Sequence, residues 1–262
     1  MQILNANGVG LHYADQGPGD APAMVFANSL GTDLRLWDAL LPLLPKGLRL
    51  IRYDKRGHGL SGAPAGPCSI DDLAGDAAAL IEALGLRDVV FVGLSIGGLI
   101  GQALALARPD LVKALVISNS AARIGTSDMW QARVAAIRQG GLAAVAAPTM
   151  ERWFSPAFRA TPALALWQHM MARQPPEGYI ACCDAIAAAD LRGRVGALDL
   201  PVQVIAGGLD GSTPPELVQA TARMIPGAEF ALIAGAGHLP CVEAAPEYAQ
   251  ILNAFLERVG HV

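Results

Sequence analysis

The chain has 262 residues, of which 53% are apolar and 16% charged, with a formal net charge of −4. This length and apolar content exclude a disordered or disulfide-stapled chain and fit one large α/β domain or two small ones. The balance is mildly acidic, with three lysines (Lys46, Lys55, Lys113) and arginines scattered singly, which leaves no basic stripe for nucleic acid and no polybasic patch for a membrane surface.

Residues Met1 to Gly10 lack the cationic-then-apolar order of a signal peptide, so a cytoplasmic protein is expected. The first predicted elements are two extended segments, residues 2–5 and 10–14, around Asn7-Gly8. They read as an antiparallel hairpin at a sheet edge. Residues 23–27 and 48–53 follow as strands. Ser69-Ile-Asp-Asp72 offers a serine cap with an acid three residues on, starting a helix that Gly85 closes.

Residues 89–107 carry no charge over 19 positions and place Gly93, Gly97 and Gly101 in G-x-x-x-G spacing. That combination is also the signature of a membrane span with a dimerisation face. The local order of residues decides otherwise. Val89-Val-Phe-Val92 is a buried-strand run, Gly93 to Gly98 holds three glycines in six positions, and residues 99–107 are helix formers. Strand, tight turn and helix account for glycines that would each weaken a continuous helix by about 1 kcal/mol.

Strands are further predicted at 114–118, 202–206 and 229–233, with helices at 215–224 and 246–259. Strands alternating with helices specify a mostly parallel sheet covered on both faces. The alternation lapses between residues 121 and 197, a helical stretch containing Trp130, Trp153 and Trp167, three of the four tryptophans. The expected organisation is a core of residues 1–120 and 198–262 interrupted by a helical cap, residues 121–197. The cysteines Cys68, Cys182, Cys183 and Cys241 form no C-x-x-C pair, so neither a disulfide framework nor a zinc site is indicated.

Gly93-Leu-Ser-Ile-Gly97 matches G-x-S-x-G, a turn that lifts a serine hydroxyl above a sheet. Ser95 is thus the candidate nucleophile, and the N–H of Ile96 a candidate oxyanion donor. In this architecture the acid and then the histidine follow the serine. His238 lies just past the strand at 229–233, where open α/β sheets build their sites. His261 is penultimate and expected to be frayed, and His58 is a weaker rival. Asp210 follows the strand at 202–206 and is the candidate acid, ahead of Asp184, Asp190 and Glu243. The second oxyanion donor is expected after residues 23–27, at the N–H of Leu30. The charges of Asp54-Lys-Arg-Gly-His-Gly59 are expected to fix a buried turn through Asp–Arg bonding.

The ordered set of Asn28–Gly31, Asp54–Gly59, Gly93–Gly97, Asp210 and Gly237-His238 resembles the α/β-hydrolase superfamily along the whole chain. More narrowly, the run from Asn28 to Asp38, with Arg152 to Phe158 and Gly178 to Cys183, resembles the 3-oxoadipate enol-lactonases. The resemblance implies an eight-stranded, mostly parallel sheet with a helical cap. It also implies a Ser-His-Asp hydrolase that opens a small anionic lactone with water and without cofactor or metal. An anionic substrate calls for a cation near the site, and Arg133, Arg152 and Arg35 are the candidates. The family tends to carry an arginine where this chain reads Ile186-Ala-Ala188; if that arginine helps hold the substrate's carboxylate, either another cation replaces it here or the substrate preference has drifted. Trp37, Trp130 and Trp153 are candidate apolar walls. Other readings are a carboxylesterase, a cofactor-free perhydrolase or haloperoxidase-like enzyme, and a non-catalytic receptor on the same fold. Oligomeric state is left open.

Overall fold

The computed structural model describes residues 2–63 and 66–262, with Met1, Pro64 and Ala65 outside the description. One sheet is built from β1 (Gln2–Ala6), β2 (Val9–Gln16), β3 (Ala23–Ala27), β4 (Arg49–Tyr53), β5 (Val89–Leu94), β6 (Val112–Ser118), β7 (Val202–Gly207) and β8 (Glu229–Ile233). The spatial order is β1-β2-β4-β3-β5-β6-β7-β8. β1, β2 and β4 pair antiparallel, and every pairing from β4 to β8 is parallel. β2 outruns its predicted end because its residues beyond Tyr13, the last to pair with β1, continue along β4, from Tyr13 opposite Tyr53 to Gln16 opposite Leu50. β3, β5 and β7 are buried at every position. Both faces of the central sheet are therefore covered, which explains why these strands read as continuous apolar runs.

The helices are α1 (Ile70–Ala83), α2 (Ile96–Ala107), α3 (Ser127–Gly140), α4 (Ala143–Trp153), α5 (Pro156–Arg159), α6 (Leu164–Ala172), α7 (Pro176–Ala188), α8 (Pro215–Met224), α9 (Pro240–Glu243) and α10 (Ala245–Arg258). α1 starts with the expected reciprocal cap. The Ser69 hydroxyl accepts from the Asp72 N–H at 3.1 Å, and the Asp72 carboxylate accepts from the Ser69 N–H at 2.8 Å. Among the described residues no helix is long and apolar enough to cross a membrane. α3 to α7 all lie between β6 and β7 in the chain. The inserted helix α7 meets the turn after β4 at a pair of glycines. A Cβ on either Gly57 or Gly178 would overlap the backbone of the other, so close approach of the two segments depends on both.

Candidate functional site

β5 ends at Leu94 and α2 begins at Ile96, leaving Ser95 to make the whole turn. Its φ of +60° is left-handed, which costs a non-glycine residue about 1–3 kcal/mol unless the surroundings impose it. Here β6 imposes it. The Ser95 N–H donates to the Ser118 carbonyl at 2.9 Å, and the Ser120 hydroxyl donates to the Ser95 carbonyl at 2.6 Å. The flanking glycines are steric requirements. A Cβ on Gly93 would strike the Gly97 carbonyl, and one on Gly97 would strike the Ala27 carbonyl. The helix thus begins three residues before its sequence-predicted start, glycines included, because close packing outweighs their low propensity.

The N–H of Ile96 opens α2, where helix geometry offers no acceptor. On the neighbouring strand β3, the following loop brings up Leu30, whose N–H has no backbone acceptor among the described residues. Asp210 and His238 come from the loops after β7 and β8, and His238 Nδ1 lies 2.8 Å from Asp210 Oδ2. Ser95, His238 and Leu30 line one cavity of about 470 Å³.

Asp210 is held by more groups than sequence reasoning identified. Its Oδ1 accepts from the N–H groups of Ser212 and Thr213 at 2.7 and 2.9 Å. Its Oδ2 accepts from Asn119 Nδ2 at 2.9 Å and lies 2.7 Å from the Thr213 hydroxyl. Burial acts to raise its pKa, but His238 and these donors outweigh burial and hold the carboxyl below the usual carboxylate range. Asn119 sits just past β6 with a φ of +45°, a conformation Asn tolerates better than most side chains. That placement aims its amide at the acid, and the only sequence signal for it was its position at the end of a parallel strand.

α4 ends against both loops. The Arg152 carbonyl accepts from the Gly211 N–H at 3.0 Å, and the Trp153 carbonyl accepts from the His238 N–H at 2.7 Å. Glu243 adds a third tie, accepting from the Gly237 N–H at 2.8 Å and the Ser155 N–H at 2.9 Å. It is thus an anchor of the His238 loop and does not touch the imidazole in place of Asp210.

Trp130, Arg133 and Trp153 line the cavity, as does Arg152. Arg133 donates to the Tyr179 hydroxyl at 2.6 Å and the Thr149 hydroxyl at 2.7 Å, and Arg152 donates to Thr149 at 3.2 Å. Among the described residues neither guanidinium has a carboxylate within ion-pair distance. Arg35 is excluded, since it is largely exposed and bonded to Asp33 at 2.6 Å. Trp37 corrects the expectation of an apolar wall. The 3-10 turn Leu34–Trp37 sends its indole into the core, where it is fully buried 5.1 Å from the Phe26 ring and outside the cavity.

The remaining rivals are placed elsewhere. His58 is fully buried, with Nε2 accepting from the Gly31 N–H at 3.0 Å. His261, expected to be frayed, is buried, with Nε2 3.1 Å from the Ala23 carbonyl. Asp184 bonds Gln131, and Asp190 pairs with Arg192 and Arg123. Among the described residues Asp54 bonds no arginine. It accepts from the N–H groups of Leu34 and Leu60 at 2.7 and 2.9 Å and faces His12 Nδ1 at 2.8 Å, while Arg56 pairs with Asp76 of α1. The carboxylate is covered by one amide of its own turn, that of Leu60, and by one from the 3-10 turn after β3, that of Leu34, while Asp76 lies within reach of the longer arginine.

Residues 22–245 match the family described by the α/β-hydrolase fold. The chain belongs to the α/β-hydrolase fold family. Within it, the chain is 41% identical over 212 residues to 3-oxoadipate enol-lactonase 2 of Acinetobacter baylyi, covering 80% of this chain and 79% of that one. It is 33% identical to 3-oxoadipate enol-lactonase 1 of the same organism, covering 99% and 97%. It also superposes on the enol-lactonase from Burkholderia xenovorans with a TM-score of 0.94 and 37% identity, over 98% of this chain and all of that one. As an α/β-hydrolase with these relatives, the chain is an enzyme that hydrolyses ester-type bonds.

Proposed function

We propose that this chain opens the ring of 3-oxoadipate enol-lactone by a Ser-His-Asp acyl-enzyme mechanism. The observation that carries the substrate is the pair of arginines on the cavity wall, Arg133 and Arg152, which lack a carboxylate partner among the described residues. A half-buried guanidinium is stabilised by an anion, and a lactone bearing a carboxylate arm supplies one. The relatives named as 3-oxoadipate enol-lactonases point to the same substrate. We take the inserted helices as the cap of the pocket and the enzyme as cytoplasmic.

In this reading Ser95 Oγ attacks the lactone carbonyl while His238 takes its proton through Nε2. Asp210 keeps the Nδ1 proton in place and stabilises the imidazolium. The N–H groups of Ile96 and Leu30 hold the oxyanion, and one such donor is typically worth about 3 kcal/mol. The acyl–oxygen bond of the ring breaks, expelling an enolate that accepts the proton from His238. The resulting enol tautomerises to a ketone, a poor nucleophile, which disfavours re-closure. His238 then deprotonates a water that attacks the acyl-enzyme, releasing the diacid and restoring Ser95.

The test compares kcat/KM for the enol-lactone, for muconolactone and for neutral aryl esters, in the wild type and in Ser95→Ala. The enol-lactone should lead, and Ser95→Ala should fold normally yet lose about three orders of magnitude or more on every substrate. Preference for the neutral esters would overturn the lactone assignment, and retained turnover in Ser95→Ala would overturn the nucleophile.

A further inference from the structure

The peptide group joining Ser29 to Leu30 faces two environments. Its N–H is one of the oxyanion donors in the reading above, on which this inference rests. Its carbonyl, trans to that N–H, points the opposite way into a buried polar cluster. There it accepts from Lys55 Nζ at 2.7 Å, from the Thr32 hydroxyl at 2.9 Å and from the Thr32 N–H at 3.3 Å.

Lys55 is out of place by ordinary rules. It is 2% exposed, and among the described residues no carboxylate lies within ion-pair distance of its ammonium. A buried charge without a counter-ion destabilises a fold, and an apolar side chain of similar volume would serve the core better. Burial lowers its pKa to about 8, which still leaves it mostly protonated at neutral pH. The next peptide group is fixed as well, since the Gly31 N–H donates to His58 Nε2 at 3.0 Å. That bond requires a neutral His58, and burial, followed by the nearby Lys55, holds the imidazole well below its usual range.

We propose that Lys55 is a positioning residue of the oxyanion hole: its buried ammonium, bonded to the Ser29 carbonyl, polarises the Ser29–Leu30 amide and fixes the Leu30 N–H as a stronger donor. A cation on the carbonyl oxygen draws electron density out of the amide and leaves more positive charge on the N–H, as in any chain of hydrogen bonds in a low-dielectric interior. The gain is realised where negative charge develops on the substrate oxygen, in the transition state more than in the bound substrate. Loss of the ammonium is therefore felt in kcat rather than in KM. His58 fixes the following peptide so that Leu30 cannot rotate its N–H away.

The experiment uses the full chain with Lys55→Met and Lys55→Gln, assayed on the enol-lactone and on p-nitrophenyl acetate beside Ser95→Ala. In Lys55→Met, kcat should fall about tenfold or more, a fraction of what deleting a whole donor costs. KM should stay within about threefold, and Lys55→Gln, which keeps a neutral donor, should fall between. An aryl boronic acid, which makes a tetrahedral adduct with a nucleophilic serine, should lose affinity by the same factor as kcat. Adipate, a ground-state dicarboxylate, should bind as in the wild type. A folded Lys55→Met with kcat within twofold of wild type, or equal weakening of boronic acid and adipate, overturns the role. If neither variant folds, the wild-type Ser29 carbonyl carbon decides by NMR. A shift downfield of other neutral-bonded carbonyls supports the polarisation, and an ordinary shift overturns it. Failure of the hydrolase reading has a separate signature, since wild type would then lack turnover or Ser95→Ala would retain it.

Discussion

Arg133 and Arg152 bring their guanidinium groups to one hydroxyl, that of Thr149, at 2.7 and 3.2 Å. The hydroxyl can serve both because its own proton goes to the Val145 carbonyl, 2.6 Å away. Two like charges meeting at a neutral acceptor repel each other. Burial first, and Arg133 next, lower the pKa of Arg152. A substrate carboxylate would relieve that repulsion, and it would do so from α3 and α4 rather than from the Ile186–Ala188 stretch of α7, which carries no cation.

Replacing either arginine by methionine should therefore raise KM for the enol-lactone about 10- to 100-fold, the usual range for a lost charge-assisted hydrogen bond. KM for p-nitrophenyl acetate, which has no carboxylate, should change by less than about threefold on the same principle. Steady-state kinetics on both substrates checks this. Equal losses on the two would make the arginines supports of the cavity wall through Tyr179 and Thr149 rather than the anchor of the substrate.

Asp210 supports a prediction in two observables. Asp210→Asn removes the charge that stabilises an imidazolium and places an amide among donors, so kcat should fall by about four orders of magnitude, as for triad acids generally. The same carboxyl is held below its unfolded-state pKa. Its stabilising contribution is thus complete at pH values above the unfolded-state pKa and disappears as pH falls through the lower folded-state value. Urea unfolding between pH 7 and pH 3 should show wild type losing more stability than Asp210→Asn. Parallel losses would mean that the donors around Asp210 do not favour its ionised form.

The sheet and the order of the site were legible because both are written locally. Gly93-Leu-Ser-Ile-Gly97 can pack only where strand, turn and helix approach to the contact limit, and Asp210 and His238 each follow a strand run. What escaped the sequence reading depends on partners distant in the chain. Asn119 is 91 residues from the acid it holds, and Glu243 is 88 residues from Ser155. Trp37 carries the same local signal as Trp153, an aromatic beside charged residues. Only the tertiary packing separates them, with one indole on Phe26 in the core and the other in the cavity wall. Lys55 likewise reads as one more turn charge until the Ser29 carbonyl is seen beside it.

Glu243 provides the last test, of how the loop carrying His238 is kept in place. Its two carboxylate oxygens accept from Gly237, next to the histidine, and from Ser155, just beyond α4. Both bonds are charge-assisted, so Glu243→Ala should destabilise the fold by about 2–4 kcal/mol in urea unfolding, the N–H groups being left without acceptors. Catalysis should suffer as well, since a loosened loop spends less time with the imidazole in register, and kcat should fall about tenfold. Glu243→Gln keeps one acceptor oxygen and should recover roughly half of the lost stability. An unchanged kcat in Glu243→Ala would show that the bond from the His238 N–H to the Trp153 carbonyl, at 2.7 Å, is sufficient to hold the loop.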